Sequence, residues 1–464
     1  MKILLPVHIY LPQHRAGVEN YTHQLARALG ERHEVMVLTT EKVISRNTGS
    51  AREYSLNGVK ITAVVNNLCF DDYAESWSSA ALAASFRKIC DDFAPDVVHA
   101  QHLMYWSLAL PRIVAEMGRP FVLTLHDYFL ACGRLGQLVN ADGEMCPGPS
   151  PERCAPCLGR TSWRQSERAS KWIGRLQALR RATGIALDDP MRALERLGSR
   201  VRVGSRSSMP NATAAPDLDL WQKRYQARRR AFLALSEDVD LFVTPSKTLL
   251  QFMVKWGLPP NKTRQVPQGL DHRLFENSKP RTKPASGRLR LGYLGTIAPH
   301  KGLHILMEAV AKLNADEVEL AIFGPASQHR KYEAELRTRF AGCSQIQFMG
   351  ALPRKEIPAA YEALDLLCVP SLWNECCPLT IQEAAMARVP SLVSGIGGMA
   401  ELVRDGVDGR HLAPGDVDAW ESCLKELIAD SSLVTAMATK TRPPIRLDEH
   451  VRTLEAIYGE LKAN

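Results

Sequence analysis

The chain has 464 residues, 45% of them apolar and 23% charged, near globular averages, which argues against collagen-like, coiled-coil and disordered chains and allows two or three domains. Of its 58 basic and 50 acidic residues, 17 and 6 fall within residues 160–230, so the net charge of +8 belongs to one segment and the remainder is slightly acidic. No apolar run approaches the length of a membrane-spanning helix. Lys2–His8 resembles a short signal core, but Pro6 and His8 interrupt it and no small-x-small site follows. It reads as a first strand, and a cytoplasmic protein is expected.

The first 125 residues alternate apolar runs with amphipathic stretches. Lys2–Val7, Glu34–Thr39, Asp96–Ala100 and Pro120–Leu125 read as buried strands, with helices over Val18–Leu29, Ser78–Phe93 and Tyr105–Met117. After an interruption from about 130 to 236, Phe242–Pro245 and Arg264–Pro267 resume the pattern. Asn277–Ser286, polar with two prolines, reads as a linker. A second alternation follows: strands Leu289–Leu294, Glu319–Phe323, Ile346–Met349, Asp365–Val369 and Ser391–Val393, with a helix over Leu303–Leu313. The expected fold is α/β, two tandem doubly wound domains over 1–276 and 287–442, with ligand at the strand carboxyl ends. The helix at 443–464 is expected to return to the N-terminal domain. A cysteine loop (130–159) and a basic helical insertion (160–235) interrupt the first domain.

The most informative segment is Asn374-Glu375-Cys376-Cys377-Pro378-Leu379-Thr380-Ile381-Gln382-Glu383-Ala384. Two glutamates eight apart flank a helix start, with Pro378 suited to a first helical position and Glu383 two turns in. Such a start turns free N–H groups and the positive dipole end toward a phosphate. A carboxylate nearby is placed to accept hydroxyl protons from a ribose or sugar, although Glu383 could equally be an ordinary solvated helix residue. Gly295-Thr296-Ile297-Ala298-Pro299-His300-Lys301-Gly302 is a strand-to-helix turn with a lysine to meet phosphate. Ser394-Gly395-Ile396-Gly397-Gly398 is a second Gly-rich turn. His126-Asp127 ends a predicted strand at the expected cleft.

Together these segments resemble the retaining nucleotide-sugar glycosyltransferases of family 4, which have the GT-B fold. Gly295–Gly302, Leu367–Pro370, the Glu375/Glu383 pair, Pro390, Gly397-Gly398 and Asp405-Gly406 carry the resemblance in the C-terminal half. Gly17-Val18-Glu19, Thr124-Leu125-His126-Asp127 and Pro267-Gln268-Gly269-Leu270-Asp271 carry it before. The resemblance implies that Lys301 meets the donor diphosphate, with Gly295 and Thr296 in its turn. It implies that Glu383 binds the ribose, that Glu375 contacts the sugar, and that the Cys376-Cys377-Pro378-Leu379 backbone lines the sugar-phosphate site. His126 would touch the sugar near the reacting carbon, and Gly17 would let the first loop approach the phosphates. Transfer would proceed with retention and without a catalytic metal, a diphosphate leaving group needing positive charge and amide donors where its charge develops. The chain departs from the pattern at Thr296, where the family usually has Arg; His300 or an arginine elsewhere is expected to compensate. Ala16 stands where a glycine often precedes Gly17, and Gln268 replaces the usual Asn.

Cys132, Cys146, Cys154 and Cys157 cluster with spacing C-x13-C-x7-C-x2-C. Four thiolates suit structural zinc or an iron–sulfur cluster, with free thiols and disulfides as alternatives. Zinc is the expectation, because nothing implies electron transfer. In the basic segment, Trp163, Trp172, Trp221 and Tyr225 punctuate the charge, and Trp172-Ile173, Leu176 and Leu179 form an apolar strip. This suits an anionic membrane surface, at the inner face of the membrane, or a strip packed on its own domain. Three D-x-D triplets, Asp217-Leu218-Asp219, Asp238-Val239-Asp240 and Asp416-Val417-Asp418, read as chance. The expected activity is sugar transfer from a nucleotide-sugar to a glycan or lipid-linked acceptor, in surface polysaccharide assembly. A sugar epimerase or phosphorylase of the same fold is one rival; a metal-stapled basic module binding nucleic acid is another, although no nucleic acid is expected while the Glu375/Glu383/Lys301 set is intact.

Overall fold

The computed structural model describes residues 1–14, 16–70, 72–161, 216–276, 278, 287–326 and 329–463. Trp163, Trp172 and the strip to Leu179 lie outside the described residues, as does the linker expected at Asn277–Ser286 apart from Ser278.

Two sheets form. The first contains β1 (Lys2–Val7), β2 (Glu34–Glu41), β3 (Ala51–Leu56), β4 (Val59–Val65), β5 (Val97–Ala100), β6 (Phe121–Thr124), β7 (Leu241–Thr244) and β8 (Thr263–Gln265). Their order is β3-β4-β2-β1-β5-β6-β7-β8. The second contains β9 (Leu289–Leu294), β10 (Val318–Phe323), β11 (Ile346–Gly350), β12 (Leu366–Val369), β13 (Ser391–Ser394) and β14 (Gly409–Leu412), in the order β11-β10-β9-β12-β13-β14. All the pairings in the second sheet are parallel. The two tandem doubly wound sheets expected from strand–helix alternation are therefore present.

The physical origin is legible strand by strand. Parallel strands covered on both faces read as continuous apolar runs. Ile3 to Val7 are all buried, and Leu4 sits level with Met36 on one side and Val98 on the other. In β12 successive residues feed opposite layers. Leu366 joins Leu291, Leu306, Leu392 and Trp420, whereas Leu367 joins Tyr361, Val393 and Met399.

Three strands escape the sequence reading: β3, β4 and β14. The first two form a hairpin turning at Asn57-Gly58, both at positive φ (50° and 82°), and β3 is antiparallel to β4. The helix expected over Tyr105–Met117 is only Leu110–Glu116, because Tyr105 takes a left-handed conformation (φ 65°). The cysteine segment is not all loop: Pro151–Gly159 is a helix carrying Cys154 and Cys157.

The chain divides into two compact units. One comprises Met1–His14, His33–Phe121 and Pro149–Val239; the other comprises Arg15–Arg32, Val122–Gly148 and Asp240–Asn464. In the first, the basic helix Leu218–Asp238 buries Trp221, Tyr225, Arg228, Phe232 and Leu235, a helical-period stripe. Trp221 packs edge-on to Tyr73 at 5.3 Å, and Phe232 packs against Trp77 at 6.1 Å. The Arg228 guanidinium lies 3.9 Å from the Phe232 ring centre. Trp221 and Tyr225 are thus core residues. Among the described residues no helix is long and apolar enough to cross a membrane.

Removing this anchor has a defined cost. Trp221→Ala should destabilise the first unit by roughly 3–5 kcal/mol, as for a truncated core aromatic. Exposed Lys223→Ala on the same helix should change stability by less than about 0.5 kcal/mol. Urea denaturation of the full chain distinguishes the two, and equal midpoints would refute the packing assignment.

Candidate functional site

In the second sheet the chain order reverses between β9 and β12, which makes a crevice at their carboxyl ends. Two glycine turns let main chains approach closely there. Gly302 sits at φ 68°, and a Cβ on it would lie 1.9 Å from the Pro370 carbonyl oxygen. Gly398 donates its N–H to the Glu375 carbonyl at 2.6 Å, and a Cβ on it would lie 2.1 Å from the Cys376 oxygen. The Gly295–Gly302 turn, the Gly397-Gly398 turn and the Glu375–Leu379 segment are therefore pressed into one corner.

That approach delivers Lys301 to Glu375. Lys301 Nζ lies 2.5 Å from Glu375 Oε1, and the Ser371 hydroxyl donates to the same oxygen at 3.1 Å. Glu375 is 8% exposed, and a carboxylate so removed from water needs such partners. Lys301 also lies 5.3 Å from the Trp373 ring centre, with His300 edge-on to the same indole at 5.8 Å. Burial, with Lys301 adding to it, pushes His300 down to about 4. It is neutral at physiological pH in the ligand-free protein. Thr296 is exposed, and its carbonyl accepts the Tyr293 hydroxyl at 2.8 Å.

The helix after the pair is Leu379–Met386. Pro378 is its N-cap rather than its first residue, and Glu383 lies little more than one turn in, correcting both expectations. No side chain caps this helix, so its first amides remain donors for an anion. The thiols beside it are not nucleophiles. Burial pushes Cys377 up to about 12 and Cys376 well above its usual range. The Tyr128 hydroxyl donates to the Cys376 sulfur, and Gln382 Nε2 donates to Cys377 Sγ at 3.2 Å.

Glu383 is half-buried. The fully buried Tyr361 hydroxyl reaches its Oε2 at 3.3 Å and the Thr380 carbonyl at 2.9 Å. Burial raises the Glu383 carboxyl to about 7, with Tyr361 and Arg354 opposing. Within the same unit, Gly17 opens the helix Gly17–Gly30 beside the Leu379 side chain, where an added Cβ would make only ordinary contact at 3.7 Å. Glu19 of this segment is buried and accepts the Ala16 amide at 2.9 Å, which makes it a structural cap.

His126 follows β6. Its Nδ1 lies 3.1 Å from Gln268 Nε2, and its ring stands edge-on to Tyr21 at 5.3 Å. Asp127 accepts the Phe129 amide at 2.7 Å, turning the chain. Ser371, Trp373, Tyr361 and Gln268 were not predicted as partners. Only the chain positions of Ser371 and Trp373, between β12 and Glu375, could have signalled them.

Cys132 and Cys146 belong to the second unit, and Cys154 and Cys157 to the first. All four are partly exposed. Among the described residues no group of three or more His, Cys, Asp or Glu side chains is placed to hold a metal ion, and metal analysis is the test of the zinc expected at these cysteines. Two of the D-x-D triplets have local uses: Asp217 and Asp416 cap helices, and Asp418 pairs with Lys312.

Comparison with known proteins agrees with this architecture. Residues 275–443 match the family described as glycosyl transferases group 1, and residues 15–185 match glycosyltransferase family 4. D-inositol 3-phosphate glycosyltransferase of Salinispora arenicola is 26% identical over 252 residues, 49% of this chain and 56% of that protein. 2-Deoxystreptamine glucosyltransferase of Streptomyces kanamyceticus is 32% identical over 157 residues, 33% of this chain and 40% of that protein. The chain spans about half the length of the curated relatives it matches. Among solved structures, Anabaena Alr3699/HepE in complex with UDP and glucose superposes with a TM-score of 0.64 at 17% identity, covering 99% of each chain. WaaG, a glycosyltransferase involved in lipopolysaccharide biosynthesis, gives 0.58 at 15%, covering 98% and 99%. The fold is the tandem GT-B arrangement.

Two measurements test the site. Glu383 holds its proton more tightly folded than unfolded, so its contribution to stability is full below about pH 4.5 and is lost as pH rises through about 7. Ligand-free wild type should lose about 3 kcal/mol over that range, and Glu383→Gln should remove that slope. Identical pH profiles would refute the burial assignment. For the cysteines, metal-free purified protein with four alkylatable thiols would overturn the zinc expectation. About one zinc per chain, lost in Cys154→Ser, would show instead that the loop closes on a metal.

Proposed function

We propose that this chain moves a sugar from a nucleotide-sugar donor to a hydroxyl acceptor, with retention of anomeric configuration and no catalytic metal. The observation that carries the reading is the Lys301–Glu375 contact of 2.5 Å at the β9–β12 crevice, beside an uncapped helix start. A cation neutralised by a buried carboxylate is held in place for a second anion. When a diphosphate arrives, Lys301 and the first amides of Leu379–Met386 meet its charge. Glu375, still held by Ser371, then accepts hydroxyl protons of the sugar. Glu383, charged above pH 7 when ligand-free, takes the ribose hydroxyls. His126 contacts the sugar, and its neutral ring supplies a hydrogen bond without adding charge.

UDP is the first donor nucleotide to test, because structural neighbours were solved with UDP and with UDP-glucose. The acceptor is a polyol ring or glycan. Two of the relatives are named for cyclitol acceptors, and a structural neighbour for lipopolysaccharide biosynthesis. A lipid-linked acceptor at the inner face of the membrane, approached through the basic segment 160–235, remains part of the reading. Surface polysaccharide assembly would be its setting.

The test is a thermal-shift screen over UDP-, GDP- and ADP-sugars with DNA and RNA alongside, followed by product analysis with EDTA present. One nucleotide-sugar should stabilise the protein, and transfer should survive EDTA with the anomeric configuration kept. Glu383→Ala should weaken nucleotide binding by roughly 1.5–3 kcal/mol, and Glu375→Ala should mainly lower turnover. Stabilisation by nucleic acid alone, or EDTA loss reversed by Mg²⁺, would overturn the reading. Conversion of the donor without transfer would indicate an epimerase.

A further inference from the structure

His126 stands in a chain of ring and amide contacts, all within the second unit, that its assigned role does not explain. Gln268 is 6% exposed and places Nε2 3.1 Å from His126 Nδ1. An amide nitrogen only donates, so Nδ1 accepts, and the neutral imidazole carries its proton on Nε2. Tyr21, 2% exposed, presses its ring edge-on to His126. Its hydroxyl lies 2.6 Å from Nε2 of His450, which is 1% exposed. Burial pushes His450 down to about 4, so it is neutral and accepts the Tyr21 proton; burial likewise holds the Tyr21 hydroxyl protonated.

His450 lies on the C-terminal helix Leu447–Ala463, and the same helix start clamps the segment that carries Gln268. Leu270 donates to the Ile445 carbonyl at 3.1 Å, and Leu447 donates back to the Leu270 carbonyl at 3.0 Å. Gly269 makes this close pairing possible, because a Cβ there would lie 2.4 Å from His450 Cβ and 2.7 Å from the Arg446 oxygen. The C-terminal helix thus reaches His126 by two routes: through Tyr21, and through the main chain to Gln268.

The geometry points to Gln268, Tyr21 and His450 as positioning residues for His126, which fix its ring plane and its Nε2–H tautomer so that it presents a donor, not an acceptor, to the ligand. The C-terminal helix is then part of the site's machinery as well as a packing element. What His126 touches rests on the glycosyltransferase reading; the tautomer and its supports do not.

The test labels the full chain with 15N-histidine and reads the His126 ring nitrogens, assigned by their loss in His126→Asn. At pH 7.5 wild type is expected to show a neutral ring, protonated at Nε2. Gln268→Leu should convert it to a mixture of tautomers. Tyr21→Phe keeps the ring edge and removes the hydroxyl; it should broaden or partly shift the same signals, and His450→Leu should match it. His450→Gln, whose amide oxygen can accept the Tyr21 proton, should restore the wild-type signature. With a stabilising nucleotide-sugar as donor, Tyr21→Phe should lower kcat about tenfold with donor KM unchanged within about twofold, the mark of lost orientation rather than lost binding. Tyr21→Phe is isosteric and carries the test if His450→Leu does not fold. An Nδ1-protonated His126 in wild type, or an unchanged signature in Gln268→Leu and Tyr21→Phe, overturns the inference. Absence of turnover in every chain with the nitrogen pattern intact overturns the function and leaves the positioning standing.

Discussion

The contact between Lys301 and Glu375 constrains everything around it. A buried carboxylate is tolerated only with a cation and hydrogen-bond donors at hand, and supplying them at 2.5 Å requires three main-chain segments to meet at the ends of β9, β12 and β13. Side chains would keep those segments apart. Gly302 and Gly398 remove the obstacle, each where a Cβ would fall about 2 Å from a carbonyl oxygen. The glycines are thus a structural condition for the charge pair, beyond any direct contact with phosphate.

Around that pair the environment assigns different protonation states to groups of similar chemistry. Glu375 is held beside a lysine, whereas Glu383 faces a buried tyrosine and is pushed up to about 7. His300 is driven neutral by burial beside Lys301. Cys376 and Cys377 are held as thiols, so their place at the helix start serves shape rather than nucleophilicity. Among the described residues at this corner, Lys301 and the first amides of the helix are placed to meet an anion.

Much of the scaffold was legible because its strands are buried on both faces. Continuous apolar runs at β1, β9 and β12 are visible without partners. The β3–β4 hairpin was missed although Asn57-Gly58 is a strong turn signal, because β3 alternates exposed and half-buried residues and looks polar. In sequence Trp221 and Tyr225 only punctuate a run of charge, and nothing local marks them as core. In the fold the rings point into the core together with Arg228, while Lys223 faces outward, a distinction that linear composition does not carry.

By itself the sequence determined the fold class, the switch from one doubly wound sheet to another, and the segments that build the crevice, because each is written in local periodicity, in glycine turns and in the spacing of Glu375 and Glu383. Tertiary structure alone decided which groups meet. Gln268 and His126 are 142 residues apart, and Tyr21 and His450 are 429 apart. It also decided that ligand-free His300 is neutral and that Glu383 titrates near 7. The reason is physical. Periodicity reports the path of the backbone, whereas proton affinity and ligand sets depend on burial and on partners that only the folded chain brings within a few ångströms.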